Sequence, residues 1–220
     1  LEKQTLLIRY IQLGIDNFGI IKSGGENIWE PDGGHCGGRK WPILFAGLML
    51  NDTREGGDGM KDIGQKSGDY LYTVPYSPGN VPPDYIHFQE DGQTFYVTQD
   101  DVDLKDVVTN YHGTDFTGHF YPPEPVDLPE YAAVDIGMPE WGIRHSTYPL
   151  WDGNAWVVTY RAINAYSWVG FVLAARMMNA NTSALWNHPA LFDYEDRHMA
   201  VTAPAILNPA WRSSVSYYGE

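Results

Sequence analysis

The sequence is poor in cysteine and in basic residues. Cys36 is its single cysteine among 220 residues, which excludes an internal disulfide framework and a structural zinc site built from several cysteines. Only 14 Lys and Arg residues stand against 28 Asp and Glu residues, giving a net charge of −14. Nucleic-acid-binding proteins usually present a basic face to the phosphates, so we expect no nucleic-acid partner.

Long apolar runs and several common catalytic motifs are also missing. No run of about 18 apolar residues is present, and no basic-then-apolar leader is visible, so the sequence predicts no membrane span. It contains no Walker A loop, GxGxxG or GxSxG pattern, which leaves phosphate, dinucleotide and serine-hydrolase chemistry without support. HExxH spacing is absent, and the "DDVD" run at 100–103 departs from the calcium-loop pattern. We therefore predict no metal and no other cofactor, with calcium as the open alternative.

Hydrophobic and aromatic residues are abundant and patterned. Leu7, Tyr10, Gly14 and Phe18 recur at three- and four-residue steps, which predicts an amphipathic helix over residues 2–22. A second helix is expected from about Pro42 to Asn51; it is apolar on all sides and hence buried. Together they predict a first αα-hairpin.

The middle of the chain, residues 52–152, changes to Gly, Pro, Asp and Tyr, with "YLYTVPY" and "QTFYVTQ" predicted as short strands. Helices return at residues 164–180 and after Asn187, which is predicted as a helix N-cap before Pro189 in the first turn. The predicted fold class is mainly α, with helical pairs at 1–51 and 153–220 and a β-containing insertion at 52–152. We expect a single domain from a longer protein, because the chain has no initiator Met and enters a helix at once.

Three stretches carry a resemblance: "GGHCGGRKWPILFAGLML", "GMPEWGIRH" and "WVGFVLAARMMNANTSALWNHPALFDYEDRHM". They resemble the (α/α) toroids of polysaccharide lyases and toroidal glycoside hydrolases, and are also similar to bacterial secreted proteins of unassigned activity. The resemblance implies an (α/α) toroid, incomplete because a full toroid needs more helical pairs, in which the loops at one end of the inner helices line a sugar-binding cleft. It also implies a secreted or periplasmic protein.

In that frame the glycine-rich loop before the second helix places His35 and Arg39 toward substrate, with Trp29 and Trp141 as flat faces for sugars. The alternative is structural: glycines that permit a tight turn, with Arg39 and Lys40 solvated or paired to nearby acids, which would be Glu26, Glu30 or Asp32.

The loop at 138–149 is the richest in chemistry. β-Elimination at a uronate needs a cation for the carboxylate, a base for the C5 proton and an acid for the leaving oxygen, and Arg144, His145 and Tyr148 can fill these roles. Hydrolysis would instead use two carboxylates, for which the sequence offers Glu140, Asp152, Asp193 and Glu195. The acids, arginine and histidine of "FDYEDRHM" are interpreted as ordinary intrahelical ion pairs.

The predicted function is a secreted carbohydrate-active enzyme, a polysaccharide lyase acting on a uronate-containing glycan. A toroidal glycoside hydrolase is the first alternative. A non-catalytic carbohydrate-binding or self-assembling surface protein is the second. The expected partner is a polysaccharide or oligosaccharide, and an oligomer stays open.

Overall fold

A computed structural model describes residues 2–25, 29, 36–67, 86–99, 102, 132–141, 160–178 and 181–207. Most of these residues are helical, which confirms the mainly α prediction. The helices are α1 (Glu2–Lys22), α2 (Lys40–Leu50), α3 (Gln89–Gly92), α4 (Tyr160–Met178), α5 (Thr182–Trp186) and α6 (Pro189–Leu207). Short 3₁₀ helices span Glu55–Gly57, Met60–Lys66 and Ala133–Asp135.

The first two helices form close to where the apolar periodicity predicts them, and they pack against each other. Gly14 lies against Pro42 and Ala46 at this contact, and the Tyr10 and Phe45 rings meet edge to face. The C-terminal half of α1 also contacts residues that follow α2: Phe18 lies against Arg54, and Lys22 pairs with Asp58.

The second helical pair is an antiparallel hairpin, as predicted. Its contacts run in opposite order along α4 and α6: Tyr166 with His198, Trp168 with Tyr194, and Arg176 with the carbonyl of Phe192. Asn187 is not the N-cap of α6. It has φ 60° and ψ 40° and is the left-handed residue that ends α5, and its side-chain amide donates to the Gly64 carbonyl at 2.9 Å.

The described part of the insertion contains a short antiparallel ribbon, β1 (Thr94–Tyr96) and β2 (Pro139–Trp141). Phe95 pairs with Glu140 and Tyr96 with Pro139. The predicted strand in "QTFYVTQ" is thereby confirmed, while "YLYTVPY" lies outside the described residues. Helix α6 packs against both strands.

The hydrophobic core joins the two ends of the chain. Buried residues of α1 and α2, such as Phe18 and Trp41, belong to the same cluster as Trp168 of α4 and Trp186 of α5. The Trp41 and Trp186 rings stack with centroids 6.4 Å apart. Among the described residues, no helix combines the length and apolar character needed to cross a membrane.

Candidate functional site

Half of the predicted site residues lie outside the described part of the chain and half lie inside it. Those outside are His35, Arg144, His145 and Tyr148. Arg39 is exposed at the end of the glycine-rich loop. Glu140 and Trp141 are buried in β2, and Trp29 is buried next to the core.

The two tryptophans predicted to stack on sugar are packed inside the protein. Trp29 is 3% exposed and stacks on Phe88 with ring centroids 5.7 Å apart. Trp141 is 8% exposed and belongs to the main core cluster. This burial favours a structural role for both rings.

The glycine-rich loop is held by consecutive side chains of α3. The Cys36 amide donates to Gln89 Oε1, and the Gly38 and Lys40 amides donate to the two carboxylate oxygens of Glu90 at 3.1 and 3.3 Å. Glu90 thus binds free N–H groups at the start of α2 from a distant part of the chain. We call this contact of α3 with residues 36–40 the α3 latch.

Two glycines of the loop have separate reasons to be glycine. A Cβ on Gly37 would lie 3.1 Å from Nε1 of Trp168, and Gly38 has φ +79°. The first position requires close approach of the backbone to a buried indole, and the second requires a left-handed conformation. The loop is therefore shaped by packing as well as by its turn.

Lys40 is the buried cation of the latch. Its ammonium pairs with Asp91 and lies 5.3 Å from the Trp186 ring centroid, while the Trp186 indole donates to the other Asp91 oxygen at 2.7 Å. Neither Lys40 nor Asp91 has a solvent-exposed side chain. Lys40 is thus buried and paired with Asp91, not solvated, whereas the neighbouring acids Glu26, Glu30 and Asp32 lie outside the described residues.

Glu90 has an unusual protonation equilibrium. Its burial, with a smaller contribution from the charge of Asp91, raises the pKa of Glu90 to about 7, and the amides of Gly38 and Lys40 act in the opposite direction. The α3 latch therefore holds a carboxyl group that titrates near neutrality.

A second polar cluster lies where α6 crosses the ribbon, and we call it the ribbon–α6 junction. Glu140 is fully buried, accepts the Trp141 amide at 2.8 Å, and has an oxygen 3.6 Å from Nη1 of Arg197. The same Arg197 nitrogen donates to the Pro139 carbonyl at 2.8 Å. Arg197 therefore fixes both the backbone and the carboxylate of β2.

The junction contains a second carboxylate, in a different environment. Asp193 is exposed and accepts a hydrogen bond from the Tyr96 hydroxyl. Asp193 and Arg197 are one helical turn apart on α6, and Tyr96 and Glu140 lie on paired strands. Three charged residues of "FDYEDRHM" thus bind partners in other elements: Asp193 binds Tyr96, Asp196 pairs with Arg176 of α4, and Arg197 binds β2. The intrahelical interpretation is wrong for these three.

His188 connects the junction to the α3 latch. Its Nε2 lies 2.8 Å from the Thr94 hydroxyl oxygen and 2.9 Å from the Thr94 carbonyl oxygen. The Thr94 hydroxyl donates to the Glu90 carbonyl at 2.8 Å. Since both Thr94 oxygens can then accept a hydrogen bond, Nε2 is the protonated nitrogen of His188. The contact of His188 with Thr94 therefore holds β1 in place and does not activate the Thr94 hydroxyl.

Glu195 is another buried carboxyl, on a different side of α6. Its residue is 2% exposed, and within the described ranges neither carboxyl oxygen has a hydrogen-bond partner. Burial, followed by the nearby charge of Asp196, raises the pKa of Glu195 to about 9. At 100° per residue, Glu195 and Arg197 point about 160° apart around α6. Glu195 therefore does not share the junction with Glu140.

Comparison with known proteins adds no relative. No family model, curated protein or solved structure matches the chain. The described residues also contain no group of three or more His, Cys, Asp or Glu side chains arranged to hold a metal ion.

The α3 latch was not anticipated from the sequence. "QEDG" is polar and only four residues long, so neither helical nor strand periodicity marks it. Its one local signal is its position between the buried Phe88 and Phe95, which places five polar side chains where an apolar run would be expected.

Proposed function

We propose that this chain is a carbohydrate-active enzyme that acts on a polysaccharide or oligosaccharide outside the cytoplasm. The resemblance of its two ends to toroidal enzymes of this class supports the proposal, and so does the ribbon–α6 junction. The toroid itself remains part of the proposal.

The observation that carries the proposal is the pair of carboxylates at the junction. Glu140 is buried beside Arg197, whereas Asp193 is exposed and bonded to Tyr96. Glycoside hydrolysis uses two carboxyl groups with different roles, one as proton donor and one as base or nucleophile, and contrasting environments are how proteins separate these roles. Of glycoside hydrolysis and β-elimination, the described residues favour glycoside hydrolysis.

β-Elimination is the second candidate, and the position of β2 favours it. The strand ends at Trp141, only three residues before Arg144 in the sequence, and His145 and Tyr148 follow shortly after. In this reaction Arg144 would neutralise a uronate carboxylate, while His145 or Tyr148 would exchange protons.

Parallel digestion of polyuronates and neutral glycans distinguishes the two reactions. Hydrolysis releases reducing ends alone, whereas elimination also produces an unsaturated uronate that absorbs in the ultraviolet. Binding without turnover across the panel would instead identify a non-catalytic carbohydrate-binding protein and reject the enzyme proposal.

Two substitutions with matched controls test the site. Under the hydrolase proposal, Asp193→Asn and Glu140→Gln each lower kcat at least about 100-fold, the scale of general acid–base catalysis. Asp196→Asn is the control for Asp193, because Asp196 is an exposed carboxylate on the same helix, bound to α4 instead of the ribbon. Glu195→Gln is the control for the buried Glu140.

Both controls should retain wild-type activity, with folding checked by circular dichroism. Wild-type activity in Asp193→Asn and Glu140→Gln would reject the junction as the site. Loss of elimination in a Tyr148→Phe, His145→Ala variant would assign the reaction to the segment after β2.

A further inference from the structure

Helix α1 exposes a stripe of large apolar side chains. Leu6, Leu13 and Ile20 follow one another at seven-residue spacing and are 67%, 45% and 37% exposed. At 100° per residue these three side chains lie within about 40° of one another on the helix surface. Helix α2 occupies the adjacent face, where Gly14 and Ile21 are buried, so the stripe stays open beside it.

Charged residues of opposite sign flank the stripe on its outer side. Arg9 and Asp16 are seven residues apart and both exposed. Asp16 accepts one hydrogen bond, from Gln12 at 2.8 Å, which leaves its other oxygen available for a cation. The order of these charges decides how two such helices can pair.

An antiparallel pair of α1 helices centred on Leu13 places Leu6 of each helix opposite Ile20 of the other. It also places Arg9 of each helix within about one residue, 1.5 Å along the axis, of the position opposite Asp16 of the other. A parallel pair would instead set Arg9 beside Arg9 and Asp16 beside Asp16, which is repulsive. The charges therefore favour an antiparallel pair with two-fold symmetry.

We propose that two copies of this chain associate through α1, with the stripe Leu6, Leu13 and Ile20 packed antiparallel on itself and Arg9 paired with Asp16 of the second copy. Such a contact uses the same surface on both copies and closes on itself. The product is a dimer, in contrast to the filament that a self-assembling surface protein would form. This proposal is independent of the enzymatic one.

Light scattering and sedimentation of the full chain over a range of concentrations test the assembly. The wild type should form a dimer, and Leu13→Glu should raise the dissociation constant at least about ten-fold, because it buries two glutamates against each other at the symmetry axis. Met177→Glu, at an exposed apolar position of α4, is the matched control and should leave the dimer intact.

Ile15→Glu controls for the opposite flank of α1, where Ile15 is also exposed. It should leave the dimer intact. Dissociation by Ile15→Glu but not by Leu13→Glu would assign the contact to the flank of α1 that carries Ile15 and overturn the proposal.

Charge reversal tests the orientation. Arg9→Glu and Asp16→Arg should each weaken the dimer, and the double variant should restore it, because reversed charges attract again in the antiparallel arrangement. A monomeric wild type at all concentrations, or a double variant no tighter than the single ones, would overturn the proposal. Circular dichroism of each variant verifies that α1 remains folded.

Discussion

The ammonium of Lys40 and the carboxylate of Asp91 form an ion pair from which solvent is fully excluded. The pair joins α2, near the start of the chain, to α3. Trp186 completes the site by donating its indole N–H to Asp91. Residues from α2, α3 and α5 therefore act together to pair and hydrogen-bond the two buried charges, those of Lys40 and Asp91.

Removing one member of this pair should cost far more than removing both. Asp91→Ala removes the carboxylate that pairs with the buried Lys40 ammonium, and breaking a buried pair in this way costs about 3–5 kcal/mol. The double variant Lys40→Met, Asp91→Leu removes both charges and should cost much less than the sum of the two single changes. Urea denaturation of the four proteins of the double-mutant cycle measures the coupling, and additive free energies would contradict it.

The long helices could be predicted from the sequence because their signal is local. Apolar residues at three- and four-residue steps mark α1, and an apolar run after Pro42 marks α2. The contacts of α1 with Arg54 and Asp58 could not be predicted, because only the fold brings these residues to Phe18 and Lys22. Asn187 shows the same limit at one position: its amide fits an N-cap locally, but its backbone ends the preceding helix.

The polar contacts of Glu140 and Lys40 could not be predicted either, for a related reason. Glu140 was identified from its local setting, yet its partner Arg197 lies 57 residues away. Lys40 looked like a surface cation in a glycine-rich loop, and only the fold brings Asp91 to it. Long-range polar contacts of this kind leave no periodic pattern in the sequence from which they could be predicted.

The stability of the protein should fall as the pH rises from 5 to 8, partly because of Glu90. Its pKa is about 7 in the folded chain and 4.5 in the reference state, so its contribution is full below pH 4.5 and is lost as pH rises through 7. Glu90→Gln keeps an acceptor for the latch amides but cannot ionise. Urea denaturation at several pH values should therefore give a flatter profile for the variant, and an unchanged slope would exclude Glu90 as the titrating group.

Glu195 should lower the stability over a wider pH range than Glu90. Its pKa is about 9 in the folded chain and 4.5 in the reference state, so its contribution is full below pH 4.5 and is lost progressively as the pH rises to 9. Glu195→Leu removes a carboxyl group that has no partner among the described residues, and should stabilise the protein by about 1–3 kcal/mol at pH 8. The gain should grow between pH 6 and pH 9. Glu195→Gln, which is polar but does not titrate, separates the effect of charge from that of polarity, and a Leu variant less stable than wild type at pH 8 would refute the assignment.

Two glycines of α1 should respond to alanine in opposite ways, because only one of them contacts α2. A Cβ at Gly14 would lie 2.1 Å from the Pro42 carbonyl oxygen and 2.7 Å from the Ala46 Cβ, whereas a Cβ at Gly19 would have no atom within 4 Å. Gly14→Ala must push the two helices apart and should cost about 1–3 kcal/mol. Gly19→Ala only replaces an exposed helical glycine with a better helix former, and should stabilise by about 0.5–1 kcal/mol. Thermal and urea denaturation of both variants measure the difference, and equal responses would show that α1 and α2 do not pack through Gly14.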